Sequence, residues 1–204
     1  MSRRSAPDSI RAENITADQT GFTLVELMVV LAVVVILLMI AIPSFADLLD
    51  RSRVRGAAGA AVSLLADARG AAVQSNRDVA IRFGGTDPAW CVGANGAATP
   101  TTLGNMVPTA AACNSTCTDC TLLNGQQTST AVDSSNYSGV TMGTRPSTFI
   151  IDGRFGDLKP LASSSVTFTS PKGTYQIQMT VAPLGQATLC IPSGQKAIPG
   201  ISSC

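Results

Sequence analysis

No histidine occurs anywhere in the 204 residues. That excludes Ser-His-Asp and Cys-His catalysis and any imidazole metal ligand. Aromatic residues make up only 4% of the chain and charged ones 13%. With 14 basic and 13 acidic side chains, the formal charge of +1 gives no electrostatic footprint for nucleic acid. Hydrophobic residues nevertheless reach 45%. The apolar content is therefore aliphatic, and it is concentrated in one place. The length allows one folded domain and an appendage.

From Leu27 to Ala46 the chain carries no charge and includes the block LMVVLAVVVILLMIAI. About 20 such residues, at a rise of 1.5 Å, span a bilayer core of about 30 Å. An ordinary secretory signal would be cut after the small residues near Ala46. Two features oppose that reading. The preceding segment, Met1 to Thr20, is long and polar, and Glu26 stands at the edge of the apolar block. A carboxylate there is costly in lipid unless it finds a partner. Arg3, Arg4 and Arg11 before the span are matched by Arg51, Arg53 and Arg55 after it, so the charge rule does not set orientation.

Beyond the span a helical pattern continues. Phe45, Leu48, Leu49, Ala58, Ala61, Val62, Leu65, Ala68 and Ala72 recur at mostly three- and four-residue steps, ending near Asn76. From Phe22 to Asn76 an unbroken helix would reach about 80 Å. The remainder reads as strands. Val79–Phe83 and Tyr175–Val181 alternate, while Phe149–Ile151, Val166–Thr169 and Ala187–Ile191 are shorter apolar runs. Pro171-Lys172-Gly173 and Pro183-Leu184-Gly185 are turn signals that join the last three runs as hairpins. Between Pro100 and Thr144 the chain is rich in Ser, Thr, Asn and Gly, which predicts a long loop insertion.

Six cysteines, Cys91, Cys113, Cys117, Cys120, Cys190 and Cys204, favour disulfides in an oxidising compartment. This places the part after the span outside the cytoplasm. Fifteen pairings are open. Cys190 with Cys204 would pin a loose C-terminal tail, leaving Cys91 and the 113/117/120 trio to staple the insertion to the sheet. A thiolate metal site on Cys-x3-Cys-x2-Cys, with Cys91 or Asp119 as fourth ligand, is the competing arrangement. It is disfavoured because exposed thiolates oxidise outside the cytoplasm. Asp152 and Asp157 flank a Gly-containing segment that reads as a turn rather than a calcium site. No cofactor or metal is expected.

Gly21-Phe22-Thr23-Leu24-Val25-Glu26, followed by the apolar run and Pro43, resembles the class III signal of type IV pilins and type II secretion pseudopilins. The resemblance implies cleavage after Gly21 by a prepilin peptidase and N-methylation of Phe22. It also implies that Glu26 and Pro43 serve assembly. Glu26 would pair with the freed amine of a neighbouring subunit's Phe22, and Pro43 would kink or locally melt the helix. The helix-then-strands order, with Trp90-Cys91-Val92 after the first strand, is similar to the FimT/GspH/FimU branch of minor pilins and pseudopilins. The fold so implied is α+β, a long N-terminal helix packed on an antiparallel β-sheet head. Its parts would be a leader at 1–21, a membrane-spanning and fibre-core helix at 22–46, an amphipathic helix at 47–76, and a periplasmic head at 77–204 with the insertion at about 99–147.

The resemblance further implies a structural protein and not an enzyme. It would be a single-pass inner-membrane protein, assembled into a type IV pilus near its tip and exposed at the cell surface there. Its partners would be the membrane, the prepilin peptidase, other pilins and minor pilins, and the inner-membrane assembly platform. A type II secretion pseudopilin of the H type shares the same N-terminal logic. DNA-binding members carry a Gly-Arg-x-Arg signature near the C-terminus. Ser193-Gly194-Gln195-Lys196-Ala197 stands there instead, and Arg145, Arg154, Lys159 and Lys172 are scattered, so nucleic acid is not expected as a partner.

Overall fold

The computed structural model describes residues 21–102, 110–122, 130–144, 146 and 148–204. They fall into two units that divide between Pro43 and Ser44. In the first, α1 (Leu24–Ser75) begins. The Thr23 hydroxyl accepts the Glu26 backbone N–H at 3.2 Å, which satisfies one of the unpaired donors of the first turn. Glu26 lies in that first turn, where a negative side chain suits the helix dipole. The large apolar side chains from Phe22 to Ile42 are exposed, and the most apolar 18-residue window of α1 has a mean hydropathy of 3.2.

In the second unit α1 acquires a buried face. Val54, Ala57, Ala58, Ala61, Leu64, Leu65, Ala68 and Ala72 recur every three or four residues against the strands. The sequence places the start of this stripe at Phe45, but Phe45, Leu48 and Leu49 are exposed. The first fully buried position is Asp50, one turn after the head reaches the helix at Asp47 through Tyr175. Asn76 ends α1 in the left-handed region (φ 51°), and the Arg77 N–H returns to the Ala72 carbonyl at 3.1 Å. Asn tolerates that conformation, and the 6→1 bond caps an orphan carbonyl.

Nine strands follow among the described residues. They are β1 (Val79–Thr86), β2 (Ala89–Gly96), β3 (Ala131–Asp133), β4 (Thr141–Met142), β5 (Thr148–Ile151), β6 (Leu158–Lys159), β7 (Ser164–Thr169), β8 (Gln176–Val181) and β9 (Ala187–Cys190). They form two sheets with antiparallel ladders, in the orders β3-β2-β1-β5-β6 and β4-β7-β8-β9. The inner faces share one core with α1, in which Trp90, Phe168, Tyr175, Ile177 and Met179 are fully buried. Trp90 donates its indole N–H to the Val140 carbonyl at 2.8 Å and meets Phe168 edge-on at 5.6 Å. Strand β8 alternates strictly between half-buried and buried positions, as a one-sided strand should.

The insertion departs from the expected plain loop. Its residues 131–133 pair with β2, and 141–142 pair with β7, so it contributes an edge to each sheet. The alternation signal fails on such short strands because two or three residues carry too little pattern. Residues 110–122 of the insertion lie over the outer face of the first sheet. Ala110 joins Ala80, Ala97 and Ile150, and this second covering explains why β1 is buried on both faces.

Candidate functional site

The expected processing and assembly residues lie on α1 and just before it. Phe22 is exposed, and Glu26 is exposed on the same stretch of uncovered apolar helix. Leader residues 1–20 lie outside the described residues. Pro43 lies inside α1, which is helical on both sides of it.

Where α1 enters the head, polar side chains pin it. The Tyr175 hydroxyl donates to Asp47, lying 2.9 and 2.8 Å from the two carboxylate oxygens, and the Lys196 ammonium pairs with Asp47 at 3.2 Å. Lys196 also lies 4.9 Å over the Tyr175 ring. The Tyr175 hydroxyl, and then Lys196, hold the Asp47 carboxyl below its ordinary value. Tyr175 and Asp47 together hold Lys196 above its own. One turn on, buried Asp50 accepts from the Ser170 hydroxyl at 2.8 Å and the Lys172 N–H at 3.2 Å. Arg55 then donates to the Pro199 carbonyl at 3.1 Å, and Arg69 donates through Nε to the Gly156 carbonyl at 2.9 Å. None of these pins has a periodic signal in sequence. Only the recurrence of charge on a helix that must bury one face hints at them.

A second polar cluster locks the start of β1 to β6. The Lys159 ammonium lies 3.0 Å from Asp78 and 2.6 Å from Asp152, and the Asp78 side chain is fully buried. Asp78 also accepts from Thr101 at 2.5 Å and from the Gly153 N–H at 3.0 Å. Burial alone works against the charge on Lys159, but the hydrogen bonds to Asp152 and Asp78 outweigh it and raise its pKa. Burial likewise works against Asp152, and Lys159 with the Arg154 and Phe155 N–H groups brings its pKa down. The segment from Asp152 to Asp157 is a turn closed by Asp152 N–H to the Asp157 carbonyl at 2.8 Å. Lys159 and Lys196 are thus committed to carboxylates, and Arg145 lies outside the described residues.

The six cysteines form three disulfides: Cys91–Cys117, Cys113–Cys120 and Cys190–Cys204. The first ties β2 to the insertion, the second closes a loop within it, and the third closes the C-terminal tail. The sulfurs of Cys113, Cys117 and Cys120 lie within 4.8 Å of one another in a buried cluster with Cys91. They sit on Gly93 of β2, where a Cβ would come 2.1 Å from the Cys120 Sγ and 2.7 Å from the Cys113 Sγ. Glycine is what lets two disulfides lie flat on a strand.

Two solved structures are similar to this chain, both crystal forms of the type IV minor pilin FimU of Pseudomonas aeruginosa (strain PAO1). Each is 15% identical; they cover 69% and 66% of this chain and 90% of the FimU chain, with TM-scores of 0.44 and 0.42. No curated protein matches. The family model for the prokaryotic N-terminal methylation motif matches residues 16–42, across the glycine, the Thr23 cap, Glu26 and the uncovered helix. The model for the type II transport protein GspH matches residues 57–185, from the buried face of α1 to the β8–β9 turn. More than half of the chain is spanned by that second match, and the protein belongs to the GspH family of pilin-like proteins.

Proposed function

We propose that this chain is a minor pilin that helps prime a type IV pilus and is incorporated near its tip. Prepilin peptidase cuts after Gly21 and Phe22 is N-methylated. The apolar part of α1 then anchors the protein once in the bacterial inner membrane, with the disulfide-bonded head in the periplasm. The observation that carries this reading is a methylation motif joined to an apolar helix with no cover, continued by a helix that is pinned into a β-rich head.

The apolar helix needs lipid before assembly and other helices after it. In either setting Glu26 requires a partner, and the amine of a neighbouring Phe22 supplies one. That pairing sets the register between stacked subunits, as a single buried polar residue does in a coiled coil. The inner-membrane assembly platform and other pilins are the partners, and the role is structural, without catalysis.

A second reading is an H-type pseudopilin of a type II secretion system. The description of the matched family favours it. Mass spectrometry of fibres sheared from the cell surface separates the two. A peptide beginning at N-methylated Phe22 in the sheared fraction supports the pilus. The same peptide confined to membranes supports secretion, and a mature chain beginning near Asp47 overturns both.

A further inference from the structure

One edge of the second sheet is open. Strand β9 has a single ladder partner among the described residues, β8. The Ala182 N–H donates to the Gln186 carbonyl at 2.8 Å, which sets the phase of that ladder. Gln186, Thr188 and Cys190 therefore turn their backbone groups toward β8, while Ala187, Leu189 and Ile191 turn theirs away. At Ile191 the outward groups are filled by the chain's own tail. The Ile191 N–H donates to Ser202 at 2.8 Å, the Cys204 N–H donates to Ile191 at 2.9 Å, and Ile191 and Ser203 pair in parallel. At Ala187 and Leu189 nothing among the described residues fills them.

A groove of about 900 Å³ runs beside that open edge, with Val62, Ala66, Arg69 and Val73 of α1 on one wall and Gln186 and Ala187 on the other. Arg69 is the one charged residue lining it. Its Nε is spent on Gly156, and its two terminal nitrogens have no partner among the described residues. Nearer the start of the head, Ile198 and Pro199 of the tail lie beside α1 at Leu48 and Arg55. The groove continues the flank that the tail leaves uncovered.

We propose that this edge takes an extended strand from a different pilin-type subunit. The strand carries small or aliphatic side chains toward α1 and a carboxylate against Arg69. Outward N–H and C=O groups on alternate residues accept a strand and little else. The α1 wall of the groove lies beside them. From Val62 to Val73 the wall is about 16 Å long, which is about five strand residues at 3.3 Å each. The unspent face of the Arg69 guanidinium selects a carboxylate. The identity of the partner rests on the proposed fibre role, whereas the open edge does not.

The test places a photo-crosslinking residue at exposed Gln186 in the full chain, in cells that make the fibre system. The expected adduct is a different pilin-type subunit, reduced at least tenfold by Gly70→Trp. Gly70 lines the groove and a Cβ there meets nothing within 4 Å, so the indole starts into open groove space, and an unchanged thermal melt of the variant checks that the fold persists. Arg69→Glu is expected to weaken the same adduct. Adducts only to lipid or to copies of this chain, or an adduct indifferent to Gly70→Trp, overturn the proposal. If N-methylated Phe22 is found in fibres while Gln186 yields no adduct, the edge proposal fails and the functional reading stands. Absence of the chain from every assembly removes both.

Discussion

The Tyr175 hydroxyl lies 2.9 and 2.8 Å from the two carboxylate oxygens of Asp47. Tyr175 opens the approach to β8 and Asp47 lies four residues beyond Pro43, so one hydrogen-bonded pair joins the head to the first turn of α1 that it touches. Asp50 repeats the grip one turn later through Ser170, and Arg55 repeats it through Pro199. The head is thus fastened by pins on successive turns of helix, and between them only small and aliphatic residues are buried. Such pins fix rotation and register, which aliphatic packing alone would specify loosely.

The Asp47 and Lys196 shifts give this seam a pH window. Asp47 is lowered from 3.8, so its contribution is present above the ordinary carboxylate value and fades as pH falls through the folded value. Lys196 is raised from 10.5, so its contribution is complete below that value and fades as pH rises through the folded one. Thermal melts of the full chain in detergent should plateau between about pH 5 and pH 10. Asp47→Asn should reduce the acid limb, of which Asp152 keeps its own share, and because both groups of the seam reach solvent, added salt should shrink the difference. An unchanged acid limb in Asp47→Asn counts against the seam.

Lys159 faces a different physics, because the Asp78 carboxylate it meets is wholly enclosed. Lys159→Met takes one ammonium from both Asp78 and Asp152. The expected loss is about 3 kcal/mol, at the lower end for a broken buried pair, since the lysine keeps some access to water. Adding Asp78→Asn removes the buried carboxylate that lost this ammonium and should recover part of the loss. Equal melting of the single and double variants would show that the pair carries no such coupling.

Much of the fold was legible because it rests on period and punctuation. The uncharged run, the three- and four-residue spacing after it, and the alternation of β8 read directly from the residues. The shortest strands did not, since β3, β4 and β6 have two or three residues each and owe their state to the neighbour they pair with. Polar pins such as Asp47, Asp50 and Asp78 were also silent. Their partners lie up to 149 positions away, and nothing in a one-dimensional pattern brings them together. The cysteine count pointed to disulfides, but among fifteen pairings the choice lies in the sheet register, which puts Cys91 opposite Asp133 and Gly93 opposite Ala131 under the insertion.

Glu26 should be dispensable for everything before assembly. Glu26→Ala removes no packing, because the side chain is exposed, and it keeps the Thr23 cap, which uses the backbone N–H of residue 26. Processing at Gly21 and membrane residence are expected to persist while entry into fibres falls. Comparing the variant's share of the membrane and sheared-fibre fractions checks this. Normal incorporation would remove the register argument.

Gly93→Ala should disturb the head through the sulfurs seated on that glycine. The added carbon would stand 2.1 Å from one sulfur and 2.7 Å from another, and 3.2 Å from the Cys117 Cβ, so either the insertion lifts or β2 bends. Forcing a group into a packed site of this kind costs about 1–3 kcal/mol. Here the strain falls on the sulfurs themselves, so pairing should change as well as stability. Peptide mapping under non-reducing conditions should find less Cys113–Cys120 in the variant, with mixed pairings among the four clustered cysteines and Cys190–Cys204 intact. Gly59→Ala provides the contrast. A Cβ there meets nothing within 4 Å, the position lies inside α1, and removing a helical glycine should raise stability by up to about 1 kcal/mol. Identical disulfide maps for Gly93→Ala and the unaltered chain would mean that the sulfur cluster can shift off the strand at little cost, and that glycine at 93 is not what seats it.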